Sequence, residues 1–370
     1  MRRRQTANMD NPQKSINPPK GSGSLKSRFE AERIKFAYLL FLAAMVFAMI
    51  LCVSLGSVQI PFGDTYRVIL GQILGDMPGQ IPEKTATIIL KVRLPRVLTV
   101  ACVGAALSVS GAAMQGLLKN PLADGSTLGV AAGASLGAVL AIAFNVQIDW
   151  FPGGGSTLFS MLFAFLSLLM IMAMARRIDF SMSTNTIILV GVIYSMFCSS
   201  ITSLLITFAG NKAKDILFWM MGSFAGSNYG QLMLAAGALL VCGIGLLRYG
   251  EELNAFAIGE ENARHIGVSV KGVKLAVMLL ASALIGITVS ISGTIGFVGL
   301  IIPHMTRMLT GPNHRRLLPF SMLAGAVFLM LADLVSRILL RPMELPIGVI
   351  TSFVGSLVFF YIFYCSRRTL

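Results

Sequence analysis

Leu275-Ala-Val-Met-Leu-Leu-Ala-Ser-Ala-Leu-Ile-Gly286-Ile-Thr-Val-Ser290-Ile-Ser292-Gly293-Thr-Ile-Gly296-Phe-Val-Gly299-Leu-Ile-Ile-Pro303-His304-Met-Thr306 runs for 32 residues between Lys274 and Arg307 without a formal charge. A helix needs about 20 apolar residues to cross a bilayer, so this run is too long for one crossing and short for two. The choice sets the direction of every later span. Apolar segments elsewhere lie near 36–57, 95–116, 127–144, 156–175, 186–208, 231–247, 317–336 and 346–366. Splitting the run into 275–291 and 294–311 makes ten spans. With the N-terminus inside, Arg315, Arg316, Arg367 and Arg368 then join the basic tail on the inner face, whereas one long span would put all four outside, against the positive-inside tendency. Two short spans are therefore expected. The small residues Gly286, Ser290, Ser292, Gly293, Gly296 and Gly299 suit either close helix packing or a helix broken beside a cavity.

Composition agrees with a bilayer protein. Hydrophobic residues make up 55% of the 370 positions and charged ones 12%, with a mean hydropathy of +0.77, against about 25% charged in soluble domains. Backbone in lipid must satisfy its own hydrogen bonds, and long apolar runs without alternation indicate helices, not a barrel. The expected fold is an all-α polytopic membrane protein of about ten helices. The net charge of +14 sits in the tail and in loops beside spans, where it sets orientation and meets anionic lipid; it does not mark a nucleic-acid surface. Five scattered cysteines, most inside apolar runs, form neither a disulfide framework nor a metal-ligand spacing. Residues 1–35, rich in Pro, Ser, Gly, Lys and Arg, read as a disordered basic tail, leaving 36–370 as the membrane domain. The amphipathic stretch from Asp64 to Leu74 is expected to lie along the outer surface.

An internal echo pairs Gly104-Ala-Ala-Leu-Ser-Val-Ser-Gly111 and Pro121 with Gly286-Ile-Thr-Val-Ser-Ile-Ser-Gly293 and Pro303 at a constant offset of 182, which Gly129 and Gly311 also keep. A shorter one pairs Gly191-Val-Ile with Gly348-Val-Ile. In the ten-span arrangement the copies run in opposite directions, as in the inverted repeats of alternating-access transporters.

The energy source is read by elimination. Ion-coupled carriers keep several ionisable groups within the bilayer because each is costly there. Here Asp333 stands alone, four residues before Arg337, a spacing that also suits an interfacial ion pair. An ion-coupled secondary transporter is the rival reading. No phosphate loop occurs, since Gly21-Ser-Gly-Ser-Leu-Lys26-Ser27 lacks the glycine before the lysine, and no His-Glu-x-x-His is present. No catalytic residue, metal site or cofactor is expected in this chain. What remains is a partner ATPase acting on the one long polar island, 248–274, which reads either as a docking surface or as a solvated connector.

Several ordered runs carry a family resemblance over most of the chain beyond residue 90: Arg93-Leu-Pro-Arg96, Gln115-Gly-Leu-Leu-Lys-Asn-Pro121-Leu-Ala, Trp219-Met-Met-Gly222-Ser-Phe, Gly296-Phe-Val-Gly299-Leu-Ile-Ile-Pro303-His304, Leu331-Ala-Asp333 and Glu344-Leu-Pro346-Ile-Gly348. They resemble the permease subunit of ATP-binding-cassette importers for ferric siderophores, haem and vitamin B12. The resemblance implies a homodimer in a bacterial or archaeal cytoplasmic membrane with both termini inside. Two cytoplasmic ATPases, which bind ATP and Mg, lie beneath it, and an external substrate-binding protein lies above. It implies that Gly259, Glu260, Ala263, Arg264 and Gly267 belong to the ATPase-coupling loop, and that Arg93, Arg96 and Arg337 meet acidic residues of the binding protein. The alternative for those arginines is anchoring at lipid headgroups. The fifth and tenth helices would line the path, with Gly191, Ser195, Ser199, Gly348, Thr351 and Ser352 as its weakly polar wall. The expected cargo is a ferric siderophore, with haem or vitamin B12 as alternatives.

Overall fold

The computed structural model describes residues 22–56, 58–74, 82–125, 128–151, 153–180 and 182–367. Helices follow one another as α1 (Ser22–Ser54), α2 (Phe62–Leu74), α3 (Glu83–Leu118, with a π-helical turn at Ile88–Arg93), α4 (Val130–Ala143), α5 (Gly154–Ile178), α6 (Thr184–Phe208) and α7 (Ala213–Met220). The second half continues with α8 (Tyr229–Arg248), α9 (Gly250–Ala257), α10 (Glu260–His265), α11 (Val270–Ser292), α12 (Val298–Thr310), α13 (His314–Ile338) and α14 (Ile347–Arg367). No strand occurs among the described residues. The chain divides between Leu40 and Phe41 into two compact units, the first holding the beginning of α1 and the second the remaining described helices.

Each of the ten apolar segments expected from sequence falls on a helix, and seven of the described helices are long and apolar enough to cross a membrane. The shorter ones differ in kind. At about 1.5 Å per residue, α4 and α12 each reach only about 20 Å, less than the apolar core of a bilayer. One expectation is corrected: α1 starts at Ser22, so 22–35 is helical and does not belong to an unstructured tail, while 1–21 lie outside the described residues. The reason is in the sequence, which holds neither Gly nor Pro from Ser24 to Leu55 and so gives the helix nothing to stop it.

The opening run is broken where two spans require it. α11 ends at Ser292, Gly293 takes φ +71, Phe297 takes φ +69, and α12 begins at Val298. A left-handed phenylalanine is strained, and the segment just before it is tied down. Thr294 Oγ1 donates to the Met220 carbonyl, Ser223 N–H donates to the Ser292 carbonyl at 2.9 Å, and Gly348 N–H donates to the Met221 carbonyl at 3.0 Å. The Ser292 carbonyl freed by the break is thus met by the turn after α7, which also receives the start of α14.

Packing directions confirm the parity. Arg96 meets Asp333 at one end of α3, Gly104 touches Gly325 mid-way, and Gly116 touches His314 at the other end, so α3 and α13 are antiparallel. Gly299 lies against Gly111 and Arg307 against Gln115, so α12 runs parallel to α3. A single span through 275–306 could not return α13 in that direction. The echo at offset 182 is not matched by equal structure: Gly111 lies inside α3, whereas Gly293 ends α11. Gly104–Ser110 and Gly286–Ser292 are helical in both copies, but Gly129 and Gly311 share only a positive φ, +76 and +80, with ψ at −5 and −178.

Candidate functional site

Two polar layers bracket the helices. The first is a buried charge cluster where α1, α3, α13 and the start of α14 converge. Asp333 bridges two guanidiniums, with Oδ1 2.9 Å from Arg96 Nη2 and Oδ2 2.9 Å from Arg337 Nε. Arg96 Nη1 reaches Glu344 Oε2 at 2.9 Å. Arg337 also donates to the carbonyls of Leu55 and Cys52, both at 3.1 Å. Arg93 donates to the carbonyls of Val53 and Ser54 at 2.9 and 2.6 Å, and to that of Val58. These carbonyls lie in the last turn of α1 and just beyond it, so the arginines complete that helix end. The three arginines are buried, at 3 to 7% residue exposure. The donors of Arg93, Arg96 and Arg337, expected from sequence to meet a docking protein, are turned inward onto this chain's own acceptors.

The second layer lies twenty residues further along α3, about 30 Å away at a helical rise of 1.5 Å per residue. Here the 248–274 segment folds as α9 and α10. Gly259, at φ +119, and Gly267, at φ +91, make the turns that bound α10, and each sits in a region closed to other side chains. Ala263 is fully buried and pins α10 to the core. Glu260 is 2.8 Å from the buried Lys274 Nζ, which also donates to the Met182 carbonyl at 3.1 Å. Thr184 Oγ1 adds a contact to Glu260 at 3.4 Å. So of the coupling residues expected from sequence, Glu260 and Ala263 hold the loop in place, and Arg264 is the one side chain turned to solvent. Around it Ile258 and Ile266 are 63 and 64% exposed, one beyond each end of α10. The sequence reading missed these two isoleucines. Their signal was available, as apolar residues inside the one long polar loop.

The FecCD transport family matches residues 44–364. The chain belongs to that family. It is 42% identical over 323 residues, 87% of this chain and 92% of the relative, to an uncharacterised ABC transporter permease of Bacillus subtilis, YvrB. It is 35% identical over 306 residues, 81% of this chain and 91% of the relative, to the vitamin B12 import permease BtuC of Citrobacter koseri. Among solved structures, a metal-chelate type ABC transporter in an inward-facing conformation matches with a TM-score of 0.77 and 34% identity, covering 88% of this chain and 98% of that one.

In this FecCD-family chain a cavity of about 540 Å³ opens between α3, α4, α6, α11 and the α11–α12 break. Its polar lining includes Asp124, Ser135, Ser199, Thr202 and Thr294, and Phe297 forms part of its wall. Of the six residues expected to line a path, Ser199 reaches this cavity, and Ser352 stands beside Gly296 at its edge. The others are engaged in packing. Gly191 passes its carbonyl to Ser195 Oγ at 2.8 Å and lies against Gly129 at the start of α4. Gly348 is seated on the Met221 carbonyl, and Thr351, fully buried, bonds back to the Gly348 carbonyl at 3.2 Å. Apolar positions of α6 and α14, such as Met196, Phe197, Phe353 and Leu357, stay exposed.

Proposed function

We propose that this chain is the membrane-spanning half of a homodimeric, binding-protein-dependent importer of an iron complex, a ferric siderophore, driven by ATP hydrolysed on a separate cytoplasmic subunit. The observation that carries the reading is the α9–α10 loop: a rigidly anchored unit presenting Arg264, Ile258 and Ile266 to solvent, at the opposite end of α3 from the buried arginines. A charged side chain flanked by two exposed apolar ones is a surface suited to a protein groove, with the isoleucines giving area and the arginine giving register. The metal-chelate and vitamin B12 relatives support a metal complex as cargo, and vitamin B12 or haem stays as the alternative. The weakly polar wall around Ser199, Thr202 and Ser352 suits brief passage of a bulky chelate without tight capture.

The experiment is reconstitution. Proteoliposomes holding this chain alone are expected to show no uptake of ferric siderophore under a proton or sodium gradient. Adding the ATPase, the binding protein and ATP is expected to start it. Gradient-driven uptake by the chain alone would establish the secondary-carrier reading instead. Arg264→Glu is expected to lower ATPase association tenfold or more while leaving the permease folded, and unchanged association would remove α10 from the contact.

A further inference from the structure

α9 is joined to the transmembrane core by a compact set of bonds at the first residues of α13. Asn254, on α9, accepts with Oδ1 from the His314 backbone N–H at 2.7 Å and lies 3.0 Å from His314 Nδ1. Its Nδ2 donates to Asn313 Oδ1 at 2.9 Å, and Asn313 in turn accepts from the Arg315 N–H at 3.0 Å as the N-cap of α13. Gly250 lies against the Arg315 backbone, where any larger residue would press on it, and Glu251 pairs with Arg315 at 2.7 Å. The N-terminal amides of a helix need acceptors, and here a neighbouring helix supplies one of them.

The imidazole carries the link onward. Because Asn254 Oδ1 already accepts from the His314 backbone, it is the oxygen of that amide, so His314 Nδ1 is the protonated nitrogen and Nε2 is bare. That Nε2 is buried without a hydrogen-bond partner, directly over Gly116 of α3, where a methyl group would collide with it. Only glycine at 116 leaves the ring its place. One side chain thus ties three elements, α9, α13 and α3, and the last two run from this layer to the Asp333–Arg96 pair about 30 Å away.

We infer that the Asn254–His314–Gly116 junction is the rigid joint through which movement of the α9–α10 loop is passed to the α3–α13 pair, with Asn254 and His314 acting as positioning residues for transport. This rests on the ATP-driven reading above. α10 is held to α11 and α6 by Glu260 and to the core by Ala263, and α9 is seated by Leu253 and Phe256; the Asn254–His314 bonds are the polar attachment that reaches the helix pair carrying the distant charge cluster.

Two substitutions on different helices break the joint from opposite sides. Asn254→Ala removes the acceptor, whereas Gly116→Ala displaces the ring and leaves α9 unaltered. Asn254→Asp keeps the oxygen that accepts from His314 but sets a second acceptor against Asn313 Oδ1 in place of the Nδ2 donor, so it separates the His314 link from the Asn313 one. In proteoliposomes with the ATPase and binding protein, ATP hydrolysed and cargo imported are read together, with assembly checked by co-purification. Both disrupting variants are expected to assemble, to hydrolyse ATP within about twofold of the unmodified rate, and to import at least tenfold less cargo per ATP. Asn254→Asp is expected to restore most of that ratio, and the double variant to be no worse than either single one. An unchanged ratio in Asn254→Ala and Gly116→Ala, or additive losses in the double variant, would overturn the joint. Absence of ATP-dependent import by the unmodified complex would instead overturn the ATP-driven reading on which it depends.

Discussion

Asp333 is the residue on which the buried charge cluster turns. Two guanidiniums share its carboxylate, and all three side chains are 9% exposed or less. Replacing the aspartate leaves buried Arg337 with main-chain acceptors only and Arg96 with Glu344 alone, and breaking a buried pair by removing one partner costs about 3–5 kcal/mol. Asp333→Ala is therefore expected to lower the melting temperature of the detergent-solubilised protein sharply or to prevent its accumulation. Glu344, whose side chain is 30% exposed, reaches only Arg96. Glu344→Gln is expected to cost less than about 1 kcal/mol, because water screens that pair. Equal losses from the two substitutions would contradict the assignment of Asp333 as the shared counterion. Little of this was legible in the sequence. The i,i+4 spacing of Asp333 and Arg337 announced one pair, but Arg96 and Glu344 stand 248 positions apart, and nothing local links them. The same holds for Arg93, whose acceptors are main-chain carbonyls that no pattern of side chains can reveal. Charged residues at the end of a span read as outward-facing until the tertiary fold supplies acceptors for them.

Elements were more legible than residues, for a physical reason. Lipid forces each spanning segment to be apolar and helical, so span positions follow from composition alone, and a charge-free run longer than one crossing must break. Gly293 marked the place. The break has a cost that the sequence could not show, namely the left-handed Phe297 that lines the cavity. Glycine contacts decide how closely these elements approach. Gly111 of α3 lies against the backbone of Gly299 in α12, where an added methyl would collide with the carbonyl. Gly111→Ala is expected to push α12 away and to cost about 1–3 kcal/mol, as overpacking does, read as a lowered melting temperature. Gly237 of α8 has open space around it, and Gly237→Ala is the control expected to leave stability unchanged or slightly raised. A similar fall in both would show that the effect is not one of helix approach. The boundary of α1 was misjudged because composition in residues 22–35 is polar, yet helix propensity and the absence of breakers carry a helix through polar sequence once a long apolar span anchors it.

For the whole molecule, the family was legible in ordered motifs, and the match over residues 44–364 bears that out. The cargo was not legible, because no residue pattern in the sequence specifies one. The spacing of the polar layers has a further consequence. Asp333 with its two arginines and His314 with its asparagine are fixed to the same pair of rods, so the distance between them cannot adapt when the surrounding lipid changes. In vesicles of long-chain phosphatidylcholine the acyl region would outgrow this fixed span, and the bilayer itself would have to thin around the protein. Activity plotted against acyl length should therefore peak where hydrocarbon thickness is about 30 Å and fall on both sides, which makes the choice of membrane, as much as the choice of nucleotide or cargo, a setting of the transporter.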